Sequence, residues 1–529
     1  MQTSIQLRLR PDADLVAGDD EVALLVGRRR VRITPETPGI AQALAALRRP
    51  SEETELATIA SSGAGGGCDR LALRSWARLV AGLKAGNWLE QSAQSHGDPL
   101  VTLRPTATIA GASSAWLGHE TVVALSRFST MRRDGAVLIV ESPRAGAILV
   151  VHDRRVGLLL ASLTAPTMLG DLLKLIDGTM AADEIRVVMR LMVEGRLALA
   201  AGHTDLDDAD QSDRLWLDQW NHADLLFHAR SRLGRHTAPY GATDRFAGRY
   251  EPLPAVKRRT GATVALPAPD LDRLAETDPS LTTVLESRTS VRVHDDAAPI
   301  TVGQLGELLY RSQRLRWVRS VANHGEIAGR PYPTAGALAE LEIYPVVHRC
   351  EGLVPGMYRY DGQHHQLEQI AAPAPAVTEL LDVARSTAVM DASPQVLLVI
   401  AARFGRVMWK YESLAYALVL KNVGALYQTL YLSATAMGLA PCALGGGDAD
   451  LFAQSTGLRY EEESSVGEFV VGSLPRPFLT GSVRPARAIG PLVPCQRWGE
   501  VAEVAEHSAH RDPTNESQGC QDDVSETGR

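Results

Sequence analysis

Cysteine is scarce in this 529-residue chain: Cys68, Cys350, Cys442, Cys495 and Cys520 are the only five, and none forms a CxxC pair. That spacing argues against a zinc cluster. So few cysteines in so long a chain also argue against a disulfide framework, and point to a reducing compartment. A basic excess is missing as well. The net charge is −8, so no global field draws the chain to nucleic acid or anionic lipid. The N-terminus, MQTSIQLRLRPDADL, lacks the apolar core of a signal peptide. The most membrane-like window, 415–440, contains Lys421, Asn422 and Gln428, each costly in lipid. It reads as a buried helix of a core or a subunit interface. The expectation is a cytoplasmic protein with no membrane span, no metal and no nucleic-acid partner.

What is present is an ordinary globular composition, 45% hydrophobic and 22% charged, in a chain long enough for roughly two to four domains. IQLRLR and then EVALLVGRRRVRI read as strands, the second a hairpin turning near Gly27. Ile40, Leu44 and Leu47, then Leu71, Trp76, Leu79, Val80 and Leu83, have helical spacing that stops near Gly86. The order recurs downstream. AVLIVES and GAILVVHD form a hairpin around Ser142-Pro143-Arg144, helical stretches follow, and VMRLMVEGRLA aligns with LVAGLKAGNWL so that Gly195 stands opposite Gly86. We expect two tandem winged-helix-like modules, residues 1–100 and 120–200. Although winged helices often bind DNA, the basic run at 28–32 falls in a strand with acidic neighbours.

Residues 201–270 read as an acidic loop, the helix WLDQWNHADLLFHARSRLGRH and a proline-rich linker at 251–270. The span 271–500 reads as an α+β domain around a mainly antiparallel or mixed sheet. In it, Asp278-Pro279 is expected to start a helix, and Thr301 and Gln304 have capping-box spacing. A polar tail, 503–529, reads as disordered.

Four stretches of this domain carry chemistry. SRTSVR at 287–292 offers Arg288, Ser290 and Arg292, two guanidinium forks and a hydroxyl that suit a phosphate. Pro333, Thr334, Ala335 and Gly336 are small residues that let backbone N–H groups approach a planar ligand. The run GLAPCALGGGD holds three consecutive glycines after a long helix, in neither P-loop nor GxGxxG spacing. Lys410 and Tyr411 in VMWKYES stand side by side at the expected start of that helix, where neighbours point about 100° apart. A lysine out of water beside a cofactor exchanges protons nearer neutral pH. Taken singly, each stretch reads more readily as a surface turn, a loop, or a surface lysine beside a packing tyrosine.

Together, and in this order, ESRTSVR, RPYPTAGALAELEIYPVV, GMYRYD, WKYES, GALYQTLYLSATAMGLAPCALGGGD and SSVGEFVVGS resemble the flavin-dependent nitroreductase-like fold. Within that fold they resemble the SagB/ThcOx-type azoline dehydrogenases, which act in the biosynthesis of ribosomally made, thiazole- and oxazole-containing peptides. The resemblance covers about half the chain. It implies FMN at a homodimer interface, with Arg288, Ser290 and Arg292 on its phosphate and 333–336 along its ring. Gln428 would lie near the flavin and the partner subunit, with Leu444, Gly445 and Gly446 at the phosphate end and Lys410 and Tyr411 as the catalytic pair. It further implies an azoline-containing precursor peptide as substrate and a cyclodehydratase as partner. Two positions depart from the pattern. Tyr416-Ala417 stands where many relatives have an arginine, and Val293 replaces an aromatic residue. The alternatives are a nitroreductase-like enzyme with a small-molecule substrate, which is usually a shorter chain, and a non-catalytic scaffold.

Overall fold

The structure is a computed structural model. It describes residues 3–475 apart from 19–20, 27–28, 63–68, 107–116, 202–215, 259 and 323. The expected turn at Gly27, most of the acidic loop, Cys68, Cys495, Cys520 and the polar tail lie outside the described residues. Cys350 and Cys442 are buried free thiols. No helix among the described residues is long and apolar enough to cross a membrane.

The upstream half repeats one order of elements. Strand Thr3–Leu9 leads to three hairpin strands (Asp14–Ala17, Val22–Val26, Arg29–Ile33), then helices Pro38–Ala46, Glu53–Ser61 and Arg70–Ala85 and strand Leu89–Ser95. The second round runs through Val122–Leu125, Thr130–Asp134, Val137–Glu141 and Ala147–Val151. Helices Arg155–Ala161, Leu169–Leu175 and Ala182–Glu194 and strand Ala198–Ala201 complete it. Gly86 and Gly195 both cap the last helix of their round. A Cβ on Gly86 would stand 2.8 Å from the Trp88 ring, and one on Gly195 2.7 Å from Leu103. These glycines are needed for close packing. The left-handed residue of each turn is the one that follows, Asn87 or Arg196, both at φ 57°.

The two rounds are not separate bodies. Strand Asp98–Pro105 pairs with Leu89–Ser95 on one side and Ala147–Val151 on the other, joining both rounds in a single seven-stranded sheet. One continuous core runs from Ile5 to Ala198. In the basic strand, Arg30 and Arg32 approach Glu21 at 3.8 and 3.9 Å.

The downstream half is built on a second seven-stranded sheet whose pairings are all antiparallel. Its order is Thr263–Ala265, Gln366–Ile370, Gly356–Asp361, Leu341–Val347, Val396–Arg403, Glu463–Ser473, Leu439–Leu444. Both faces are covered, so the interior strand Val396–Arg403 is buried throughout. Its period-two alternation divides the core. Leu398 and Ile400 pack under helices Val302–Gln313 and Ala415–Ala436, and Leu397 and Val399 under helices Ala374–Ala388 and Ala449–Thr456. The Thr301/Gln304 capping box forms in both directions, at 3.2 and 3.0 Å.

Two expectations need correction. The supposed linker at 251–270 is an integral part of this sheet: Thr263–Ala265 is its edge strand, and Lys257 Nζ donates to Tyr344 Oη (2.8 Å) and Glu463 Oε2 (2.6 Å). A boundary at 270/271 would cut these contacts. The helix start expected at Asp278-Pro279 falls later. Ser280 is the cap, accepting from the Thr283 N–H, and the helix is Leu281–Ser287.

Candidate functional site

Two clusters form along the long helix Ala415–Ala436. The first lies near its C-terminal end. Arg288 follows the helix Leu281–Ser287, and its guanidinium lies 5.2 Å from the Tyr431 ring centroid. Ser290 Oγ is 2.8 Å from Tyr431 Oη, which also accepts from the Ala443 N–H at 2.8 Å. The Val291 N–H donates to the Pro441 carbonyl. Arg292 is near enough to Cys442 to oppose the upward push that burial gives that thiol. Arg288, Ser290 and Arg292 are thus gathered against strand Leu439–Leu444. That strand runs into Leu444, Gly445 and Gly446, which line a cavity of about 460 Å3 with Val423 and Tyr427. A Cβ on Gly445 or Gly446 would meet nothing, so this loop is open on its outer side. Gln428 is exposed and outside that lining.

The second cluster joins the Pro333, Thr334, Ala335, Gly336 turn to the Lys410-Tyr411 pair. The turn is a short 3-10 segment with Gly336 at φ 59°. The Tyr411 hydroxyl stands 2.8 Å from where a Gly336 Cβ would be. Lys410 Nζ lies 5.8 Å from the Tyr411 ring centroid. These two residues do not open the long helix as the sequence suggested. They lie between helices Phe404–Met408 and Ala415–Ala436, where Tyr411–Glu412 is a two-residue strand paired with Gly241–Ala242. Lys410 stands in the turn just before that strand, so the pair is placed by the backbone pairing of Tyr411 and not by helical spacing. Burial pushes the Tyr411 phenol up, and the Asp244 charge adds to that.

A polar tie links the turn to the helix. Four residues after Gly336, the fully buried Glu340 accepts from Asn422 Nδ2 at 2.6 Å through Oε1, while its buried Oε2 has no hydrogen-bond partner among the described residues. Burial pushes this carboxyl up, and the Asn422 bond with the charges of Arg330 and Arg406 pulls it back.

A phosphate suits the first cluster: two cations, a hydroxyl and a glycine loop without side chains. A planar ring suits the second, where the turn is stripped to small residues and a buried acceptor is left over. Sequence reasoning missed Tyr431, Glu340, Asn422 and Asp244. Tyr431 sits on the buried face of the long helix one turn beyond Tyr427, which reads as core. The others carry no local signal. A larger cavity, about 650 Å3, opens between helices Arg70–Ala85 and Ala182–Glu194 upstream. Its rim charges include Lys84, 3.0 Å from Glu53, and Glu194, which accepts from Gln91. It offers none of the chemistry of the two clusters.

Residues 285–473 match the nitroreductase family, and residues 123–237 match the family described as cyanobactin oxidase ThcOx. The chain is therefore nitroreductase-like, α+β in its downstream half. Taken together, the two matched segments resemble a SagB/ThcOx-type protein. A Methanocaldococcus jannaschii protein assigned to the nitroreductases is 28% identical over 185 residues, 35% of this chain and 85% of that one. Among solved structures, a nitroreductase-class protein from Ralstonia eutropha is similar at 22% identity and TM-score 0.31, over 45% of this chain and 99% of its own. The Escherichia coli microcin synthetase McbBCD complex with truncated pro-MccB17 is similar at 18% identity and TM-score 0.29, over 50% of this chain and 97% of that one.

Proposed function

We propose that this protein is an FMN-dependent oxidoreductase that converts thiazolines or oxazolines in a ribosomally made peptide to the aromatic azoles. The observation that carries this reading is the meeting of Tyr411 and Gly336. An acid–base pair stands beside a turn bare enough to take a flat ring, at one end of a helix whose other end gathers Arg288, Ser290 and Arg292. The match of 123–237 to the cyanobactin oxidase family supports a peptide substrate.

In this reading Arg288 and Arg292 bind the FMN phosphate with the Ser290 hydroxyl. Leu444, Gly445 and Gly446 border it, and 333–336 lie along the ring. When bound, FMN supplies a hydride acceptor. The azoline would be held between that acceptor and the Lys410-Tyr411 pair. Lys410 and Tyr411 lie where one of them takes the Cα proton. Loss of one hydride and one proton leaves the aromatic ring, so the step runs downhill. Exposed Leu420 and Gly424 on the long helix, bordering the cavity, support a homodimer with the flavin at its interface, and Gln428 on that helix faces the same role. The upstream rounds are two winged-helix-like modules that meet a cyclodehydratase or the precursor peptide, in a cytoplasmic assembly.

The test is anaerobic addition of a thiazoline-bearing peptide to the FMN-loaded protein. The yellow flavin colour should bleach, and mass spectrometry should show each new azole lighter by two hydrogen atoms. A flavoprotein that never bleaches with the peptide, but whose chemically reduced flavin regains its colour when a nitroaromatic or quinone is added, would favour the small-molecule reading, to which the nitroreductase match of 285–473 lends weight. A protein that takes up no FMN would refute both.

A further inference from the structure

Residues 239–250 lie between the two matched segments, 123–237 and 285–473, and belong to neither. Yet every residue from 409 to 413 is tied to them. The Trp409 indole N–H donates to the Tyr250 carbonyl at 2.7 Å. The N–H groups of Thr243 and Asp244 both donate to the Lys410 carbonyl, at 3.0 and 3.1 Å. Tyr411 and Glu412 pair with Ala242 and Gly241. Thr243 Oγ1 donates to Glu412 Oε2 at 2.7 Å, and Arg245 Nη1 donates to Oε1 at 3.3 Å. Ser413 Oγ donates to the Pro239 carbonyl at 2.7 Å. This is more anchoring than a connector needs.

The backbone is strained on both sides of this clasp. Asp244 has φ 49° and Ser413 φ 62°, left-handed conformations that are costly for residues with a Cβ. Such strain persists only where the surrounding bonds over-determine it, and it collects at functional sites. Backbone and side-chain ends also differ sharply. The Lys410 carbonyl and the Tyr411 strand are clamped. Among the described residues, however, neither the Lys410 ammonium nor the Tyr411 hydroxyl has a hydrogen-bond partner, and Lys410 Nζ lies 5.8 Å from the Tyr411 ring centroid. Groups that act on a ligand need that combination, a fixed stem and a free reactive end.

We propose that Thr243 and Glu412 are positioning residues for the acid–base pair, and that the strap 239–250 is a part of the catalytic corner that neither family match contains. Thr243 brackets Tyr411. Its N–H holds the residue before, through the Lys410 carbonyl, and its hydroxyl holds the residue after, through the Glu412 carboxylate. Arg245 fixes the other oxygen of that carboxylate, so Glu412 cannot turn away. Cutting the Thr243–Glu412 bond leaves Tyr411 anchored on one side only, free to shift relative to Gly336. The inference rests on the reading of Lys410 and Tyr411 as the acid–base pair of azoline oxidation, and it adds no chemical step to that reaction. Thr243 and Glu412 act through the pair.

The experiment compares FMN-loaded wild type, Thr243→Val, Thr243→Ser, Glu412→Ala and the Thr243→Val/Glu412→Ala double variant. Anaerobic bleaching is followed over a range of thiazoline-peptide concentrations, which separates the limiting rate from the half-saturating concentration. FMN affinity, read by fluorescence titration, checks that each variant is folded. The rate at which trinitrobenzenesulfonate labels Lys410 is read by peptide mass spectrometry. The limiting rate should fall by roughly ten- to a hundredfold in Thr243→Val and Glu412→Ala, with FMN affinity and half-saturation unchanged. Thr243→Ser, which keeps the hydroxyl, should match wild type. The double variant should be no slower than the slower single one, because both remove the same bond. Lys410 should label faster in Thr243→Val and at the wild-type rate in Thr243→Ser. An unchanged limiting rate, a change in half-saturation alone, or an equal fall in Thr243→Ser would overturn the proposal. If the wild type itself fails to bleach with the peptide, the azoline reading has failed and the labelling decides the clasp: faster labelling of Lys410 in Thr243→Val alone upholds it, and an unchanged rate overturns it.

Discussion

The Tyr411 hydroxyl occupies the space a side chain on Gly336 would need, 2.8 Å from the position of its Cβ. Gly336 also has φ 59°. Gly336→Ala therefore meets two penalties: about 1–2 kcal/mol for the left-handed backbone and displacement of the phenol. FMN titration and thermal melting should show weaker binding and lower stability. Adding Tyr411→Phe should relieve the collision and leave the backbone penalty, so the double variant should recover part of the loss.

Arg288→Gln and Arg292→Gln should each weaken FMN binding, by roughly ten- to a hundredfold if one charge-assisted hydrogen bond of roughly 1.5–3 kcal/mol is lost. The loss should shrink at high salt, because exposed charges are screened. Riboflavin, which lacks the phosphate, should bind wild type and variants alike. A riboflavin affinity that falls in step with FMN would move the phosphate elsewhere.

Lys410→Ala and Tyr411→Phe should leave the flavin bound and slow its bleaching by the peptide. Acid–base catalysis is worth roughly 10²- to 10⁴-fold, and the double variant should be inactive. Anaerobic stopped-flow measurement checks this. Rapid bleaching by the double variant would remove the pair from the chemistry.

Asn422→Ala should destabilise the fold by about 1–3 kcal/mol, since it leaves the buried Glu340 carboxyl with no neutral donor. Glu340→Gln should offset much of that cost, because an amide needs no compensation for charge. Denaturant unfolding of the two single variants and the double variant measures the coupling.

Acid should weaken the protein through His294. Burial lowers its ring to about 4, and as a neutral base it accepts from the Gln395 N–H at 3.2 Å. The unfolded chain then binds the extra proton first. Stability from this site is complete above the unfolded value near 6.5, and is lost as pH falls toward about 4. The loss is up to about 3 kcal/mol. Melting curves across that range should flatten in His294→Gln, and an unchanged slope would assign the effect to another group.

Local signals survived into the structure. Thr301 and Gln304 name their own capping box, and Gly86 and Gly195 mark the ends of equivalent helices, because each of these depends on residues a few places away. What the sequence hides is long-range. Tyr411 is a strand residue only because Gly241 and Ala242 arrive to pair with it, and helical periodicity in the following residues gives no hint of that. Thr263, Val264 and Ala265 are all exposed. They show no alternation, so an edge strand there looks like linker. The phosphate-type cluster was legible as SRTSVR, but its partner Tyr431 was masked by the apolar pattern of its helix.

The pairing of Ala242 with Tyr411 spans 169 residues, and this separation bears on how the protein is made. Closing so long a loop is entropically slow, and such contacts form late in folding. The acid–base pair therefore gains its shape after the sheet beneath it. A shortened version for expression that begins at the sheet's first helices would fold most of the sheet beside an unsupported catalytic corner. One that begins before residue 239 keeps the strip of chain that holds it.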